Sequence, residues 1–404
     1  MATHTILRLG HQGDGIADGP VFAPRTLPSE VVTGRLEGSQ LTEIRIDTPS
    51  PDRVRAPCAH YRACGGCQLQ HALDDFVADW KQEIVRTALT AQGVEASFRP
   101  TKTSPVGSRR RATFAARRTK KGSTVGFHAR GSDQIVDIPD CLILDPKLKA
   151  GLGLAAEFAV LGASRKAPLS VTVTLSKPGL DVSVTGGKPL DGRLRIGLAK
   201  LADEGALARL AWDGEVVAMR QPPAQTFGSA QVMPPPGAFL QATQDGEDAL
   251  RSAVLEITAG ANRVVDLFAG CGTFSLPLAE RAEVHAVEGD NQMTSALDAG
   301  WRFAKGLKKI TTEARDLFRR PLLSEELAQF EAAVLDPPRA GAAAQVGQLA
   351  EAAVPAIAYV SCNPVTFARE AQTLFAAGFR LEWVQVVDQF RWSAHVELAA
   401  RFVR

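Results

Sequence analysis

From about residue 245 onward, short apolar runs alternate with helical periods, and most of the runs stop on a residue with chemistry. RVVDLFAG, EVHAVEG, ITTEARD, AAVLDPP and AIAYVSC follow one another, and FRLEWVQVVDQF and VELAARFV close the chain. Strand–helix alternation of this kind predicts a parallel, doubly wound α/β sheet. Ligands of open α/β sheets bind beyond the carboxyl ends of the strands. Asp266, Glu288, Asp316 and Asp336 fall at or near four successive strand ends. That recurrence points to a nucleoside-bearing cofactor. Glu288 stands roughly 20 residues past the first turn, a spacing that suits ribose hydroxyls. The turn itself, Ala269-Gly270-Cys271-Gly272, lets the backbone approach a ligand closely. The dinucleotide spacing G-x-G-x-x-G is not met, because position 275 is Ser.

Cys362 ends the fifth run, just before Asn363-Pro364. A strand-end thiol facing the same crevice is placed to act as a nucleophile. Burial as a structural cysteine is the alternative, and it is the reading for Cys271. His395 and Glu397 open the last strand; from position alone, a solvated Glu397 is the simpler reading.

Upstream, residues 1–52 read as short strands punctuated by Gly13, Gly15, Gly19 and Pro20, which suggests a small β-barrel. Next, Cys58, Cys64 and Cys67, three of the six cysteines, fall within ten residues. No apolar stretch approaches the roughly 20 residues that cross a bilayer, and no basic-then-apolar leader opens the chain. A cytoplasmic protein without membrane contact is expected. Disulfides are not the default there, so the cysteines read as a metal or cluster signal. A helix is expected from about Asp74 to Gln92, burying Phe76, Trp80, Ile84, Val85 and Leu89.

Residues 99–132 carry ten Lys and Arg, among them Arg109, Arg110, Arg111, Arg117 and Arg118, with no Asp or Glu. The net charge of the whole chain is only +2, so the asymmetry is local. Phe114 and Phe127 lie among these cations on a predicted hairpin. Cations neutralise phosphates and aromatics stack on splayed bases, so an RNA-binding face is expected; a merely solvated basic hairpin is the alternative. Strands alternate around a helical piece near 195–210. The Pro- and Gly-rich QPPAQTFGSAQVMPPPGAF reads as a domain junction. Three domains follow: 1–52, 53–225 and 226–404.

The strings DLFAGCGTFSL, VEG, ARD, DPPRAG, SCNP and HVE, in this order and spacing, resemble the bacterial RNA (uracil-5-)-methyltransferases, which make 5-methyluridine. The C-x5-C-x2-C segment with a later Cys141 is similar to the subgroup that carries an iron–sulfur cluster and modifies 23S ribosomal RNA. Residues 1–52 resemble that subgroup's RNA-binding TRAM barrel. The resemblance implies a Rossmann-like S-adenosylmethionine-dependent catalytic domain, with a central α+β domain holding the cluster. Phe268, Thr273 and Gln241 would then touch S-adenosyl-L-methionine. Glu288 would hold its ribose, Asp316 would lie near the adenine and Asp336 would close the methionine end. Cys362 matches the nucleophile and Glu397 the base. Cys58, Cys64, Cys67 and Cys141 would hold a [4Fe-4S] cluster; by donor type alone zinc also takes four thiolates. Thr273 stands where many members have Asn, Thr243 replaces another Asn, and the family's F-P-H-T reads Phe390-Arg391-Trp392-Ser393. The expected substrate is 23S ribosomal RNA, with transfer RNA next, acted on by a monomer. A non-catalytic RNA-binding protein of the same fold is the reading that Cys362 and Glu397 argue against.

Overall fold

A computed structural model describes all of residues 1–404. Strands β1 (Ala2–Leu9), β2 (Gly15–Ala17), β3 (Val21–Ala23), β4 (Val31–Glu37) and β5 (Gln40–Thr48) close into a barrel in the order β1-β2-β3-β5-β4. Its core is small: Ile6, Ala17, Val21, Ala23, Val32 and Leu41. Asp14 ties the barrel to the rest of the chain by accepting from both terminal nitrogens of Arg130, at 2.6 and 2.7 Å.

Helix α1 (Asp74–Thr90) and strand β6 (Ser97–Thr103) come next, then β7 (Arg111–Arg118), β8 (Ser123–His128), β9 (Ile135–Asp137), α2 (Ala150–Gly162), β10 (Leu169–Ser176), β11 (Gly179–Thr185), α3 (Gly192–Glu204), β12 (Arg209–Trp212) and β13 (Glu215–Met219). The central sheet has the order β13-β12-β11-β10-β7-β8-β9, with α2 and α3 packed against it. The alternation in LSVTVTLS sets the register: Val171 lies opposite Val184 and Val173 opposite Val182, all four buried. The helix expected near 195–210 ends at Glu204, and Arg209–Trp212 becomes a strand instead. Arg209 grips Asp181 of β11 with two hydrogen bonds of 2.8 and 2.7 Å, and a buried pair of this kind outweighs a helical turn's propensity.

The remaining elements are β14 (Gln225–Phe227), β15 (Ala230–Val232), α4 (Gln244–Ile257), β16 (Arg263–Leu267), α5 (Ser275–Leu278), β17 (Glu283–Glu288), α6 (Asn291–Phe303), β18 (Ile310–Ala314), α7 (Ser324–Leu327), β19 (Ala332–Leu335), α8 (Ala343–Glu351), β20 (Ala356–Ser361), α9 (Pro364–Ala376), β21 (Arg380–Asp388) and β22 (Leu398–Val403). The large sheet runs β18-β17-β16-β19-β20-β22-β21-β6. Its first five strands are parallel, as alternation predicts. Of the other three only β22 is reversed: it runs antiparallel to both β20 and β21, while β6 runs parallel to β21. No crossover helix separates β21 from β22, and a parallel return needs one.

Two further observations depart from the sequence reading. The stretch expected as a bare junction folds a hairpin, β14–β15, and Gly300 of α6 leaves the room that Val232 fills. The segment 74–103 also crosses the expected division at 53–225. Strand β6 pairs with β21 as the eighth strand, and Val85, Leu89 and Val94 join the core of the large sheet. Helix α1 buries Val77, Trp80, Val85 and Leu89, and between them Lys81. No helix is long and apolar enough to cross a membrane.

Candidate active site

The cofactor side is built where β16 breaks. Phe268 (φ 63°), Gly270 (φ 55°) and Gly272 (φ 97°) carry the chain through the left-handed region. A Cβ on Gly272 would lie 2.9 Å from both Leu276 and Leu297, so glycine is required there on two counts. The turn presents the Gly270 N–H to Glu288 Oε2 at 3.0 Å, and the Asp290 N–H reaches Oε1 at 3.0 Å. Both oxygens of Glu288 are thereby held at the end of β17. Asp316 is exposed beyond β18 and accepts from the Phe318 N–H at 3.0 Å. The Phe318 ring lies 5.6 Å from that of Phe268, a pair suited to a flat heterocycle. Sequence reasoning missed Phe318; its one signal was an aromatic two residues beyond a strand-end acid. Thr273, partly covered, follows the turn. Thr243, where the family has Asn, caps α4 by accepting from the Gly246 N–H at 3.0 Å.

The catalytic side is built by the β20–α9 junction. Asn363 caps α9, accepting from the Val365 N–H at 3.1 Å with Pro364 at the first helical position. Its Nδ2 donates to the Arg339 carbonyl at 2.9 Å, which draws the DPPRAG loop beside the Cys362 thiol. Cys362 stays partly exposed. Burial, then the charges of Glu397 and Asp336, push its thiol up to about 11, with Arg339 opposing. Glu397, 4 % exposed, is pushed up to about 7 by burial. Asp336 is held well above the carboxylate range by burial, then by Glu397, Asp266 and Glu288. Burial also lifts Asp266 to about 7; its Oδ2 accepts from Ser275 and its Oδ1 has no partner. Four carboxyl groups thus share one neighbourhood with one guanidinium. Mutual repulsion among them favours a cationic occupant, and a sulfonium with an α-ammonium is one.

Gln241 is buried, and its Oε1 accepts from Gln389 Nε2 at 2.5 Å. Gln389 escaped sequence reasoning altogether. So did Arg339, which reaches His395 Nδ1 at 2.5 Å. Arg391 and Ser393 line a small cavity with Thr243, Gln389 and Phe390. Trp392 is buried in the central core, and its carbonyl accepts from the Gln68 and Leu69 N–H groups at 2.8 and 2.9 Å.

Cys58, Cys64, Cys67 and Cys141 line one small, mostly apolar cavity, walled by Tyr61, Phe127, Ile138, Leu142 and Ile143. All four are free thiols. Burial pushes Cys67 up to about 12 and raises Cys64 and Cys141. No three His, Cys, Asp or Glu side chains are grouped tightly enough to hold a single metal ion.

The basic segment is partly spent internally. Arg110, expected on the RNA face, is buried: it pairs with Glu247, bonds Gln244 and donates to the Gln241 carbonyl at 3.2 Å. Phe127, expected to stack on bases, lines the cysteine cavity and lies 5.7 Å from Phe114. Arg109, Arg111, Arg117 and Arg118 are partly exposed and pair with no carboxylate.

Residues 301–403 match the tRNA (Uracil-5-)-methyltransferase family model. An RNA methyltransferase of Rhizobium meliloti, its activity uncharacterized, is 45 % identical over 98 % of both chains. The 23S rRNA (uracil(1939)-C(5))-methyltransferase RlmD of Halomonas elongata is 35 % identical over 96 % of this chain and 86 % of its own. The chain belongs to the RNA (uracil-5-)-methyltransferases. Its fold agrees with that of the family. The crystal structure of the Pyrococcus abyssi tRNA (uracil-54, C5)-methyltransferase with S-adenosyl-L-homocysteine superposes with a TM-score of 0.78 over 99 % of each chain, at 21 % identity.

Proposed function

We propose that the protein methylates carbon 5 of a uridine in 23S ribosomal RNA, using S-adenosyl-L-methionine. The observation that carries the reading is the meeting of the Cys362 thiol and the buried Glu397 carboxyl beside a crowd of acids suited to a cationic donor. Carbon 5 of uracil is a poor nucleophile. Cys362 loses its proton and its sulfur bonds to carbon 6, which leaves an enolate whose carbon 5 attacks an electrophilic methyl. S-adenosyl-L-methionine supplies that methyl. Glu397 then takes the carbon 5 proton, the ring double bond reforms and the thiolate leaves. The base must be flipped out to be reached, at a few kcal/mol, less in a loop. Arg109, Arg111, Arg117 and Arg118 suit its phosphates.

Ribosomal rather than transfer RNA is favoured by the 35 % identical relative and by the four-cysteine cavity. Cofactor labelled in the methyl group, incubated with separated ribosomal and transfer RNA from a strain lacking the enzyme, tests this. Label is expected in 23S RNA, at a single uridine by mass spectrometry. Label confined to transfer RNA overturns the substrate, and none in either overturns the activity.

Cys58, Cys64, Cys67 and Cys141 would hold a [4Fe-4S] cluster. Bound, it would pin the loop before α1 to the segment after β9 and so stiffen the central domain. Protein purified without oxygen is expected to carry iron and acid-labile sulfide in equal amounts, about four of each per chain. One zinc per chain would sink the assignment.

A further inference from the structure

We propose that Gln389 is a positioning residue: its side-chain amide fixes the Glu397 carboxylate and the Gln241 amide in one relation, so that the base and the donor side of the pocket are set together. The proposal rests on the reading of Glu397 as the base.

Gln389 follows the last residue of β21 and is 2 % exposed. Its Nε2 donates to Gln241 Oε1 at 2.5 Å and to Glu397 Oε2 at 3.0 Å, while its Oε1 accepts from the Ala242 N–H at 2.7 Å. Both amide protons and the carbonyl are therefore used. The chemistry leaves no choice of amide orientation. A flipped Gln389 would set its oxygen against the Glu397 carboxylate and its NH2 against the Ala242 N–H. The orientation propagates. With its Oε1 held toward Gln389, Gln241 turns its NH2 away from that bond, which lets it offer donors to the pocket.

The surroundings are shaped to this side chain. Gly246, in the first turn of α4, leaves the room it needs: a Cβ there would lie 2.7 Å from Gln389 Cβ and 3.1 Å from its Oε1. The backbone on either side is clamped by one buried lysine. Lys81 Nζ donates to Asp388 Oδ1 at 2.6 Å and to the Phe390 carbonyl at 3.2 Å. The Val387 N–H donates to the Glu397 carbonyl at 2.8 Å, which closes the loop. A donor aimed at a carboxylate favours its charged form, and Gln389 does this against the burial of Glu397. Only the charged form can take a proton from carbon 5.

The test uses the full-length enzyme with its bound groups intact. Gln389→Met keeps the volume and loses all three hydrogen bonds. Gln389→Glu keeps the shape and sets a second carboxyl against Glu397. In Gln389→Met the acid limb of kcat should move up by about one pH unit, the size expected for one hydrogen bond to a charged acceptor. Turnover at pH 7 should fall about fivefold to tenfold and recover near pH 9, while adduct formation with 5-fluorouridine RNA is unchanged. KM for the methyl donor should rise about twofold to fivefold as Gln241 is freed. Gln389→Glu should move the limb further, and it decides the question by the same comparison if the methionine variant does not fold. A lowered melting point with an unmoved pH profile would make Gln389 merely structural and overturn the proposal. Glu397→Gln, run alongside, separates the two ideas: normal turnover there sinks the base itself, whereas a dead Glu397→Gln with an unshifted Gln389 variant sinks only the positioning role.

Discussion

Replacing Cys362 with Ala should cut methylation by at least about 10⁴-fold, since losing a covalent nucleophile forfeits a whole pathway and not one contact. Affinity for the methyl donor should stay within about twofold, because the thiol attacks the base and is not assigned to the donor. With RNA carrying 5-fluorouridine the wild type should form a covalent complex that survives denaturing electrophoresis, and Cys362→Ala should form none. A persisting complex would overturn the nucleophile. The pH dependence is specific. Burial and the acids beside it hold the thiol near about 11, well above an ordinary cysteine. Below that value the thiolate fraction grows tenfold per pH unit. Single-turnover adduct formation should therefore keep climbing from pH 6 to pH 9. A plateau below pH 8 would show that some other group carries the rate.

The fold of the C-terminal half was legible because its pattern is periodic. A strand of fixed period must end somewhere, and ligands sit at those ends, so Asp266, Glu288, Asp336 and Cys362 could be read from where apolar runs stop. The barrel was legible for a similar reason, from its turns. What was hidden depends on contacts distant in sequence. Nothing local in SFRPTKT says that it will pair with β21, some 280 residues later. Nothing local in DWKQE says that Lys81 will be buried, because its partner Asp388 lies 307 positions away. The same blindness explains Arg110 and Phe127. Charge and aromaticity marked them for RNA, while Glu247 and the cysteine cavity claimed them for the interior. The Gln389 network is the extreme case. Glutamine is a poor signal in any sequence, and its meaning here comes from three partners brought together only by the closed sheet.

Glu397→Gln should separate the two halves of the reaction. The amide is nearly isosteric and can still bond Gln389, so the pocket should form, the thiol should add and the methyl should transfer. The carbon 5 proton then has no acceptor. Elimination should slow by about 10²–10⁴-fold, the usual worth of a general base. With ordinary uridine RNA, a methylated covalent complex should accumulate in Glu397→Gln that the wild type never builds up. The wild-type pH profile has a matching sign. A buried carboxyl raised to about 7 is protonated below that pH and cannot act as base, so product release should fall off as pH drops through 7 while adduct formation is governed by the thiol. An ordinary exposed glutamate would have kept release flat down to about pH 5. If Glu397→Gln releases product at the wild-type rate, some other group takes the proton, and the four-acid neighbourhood names Asp336 as the next to replace.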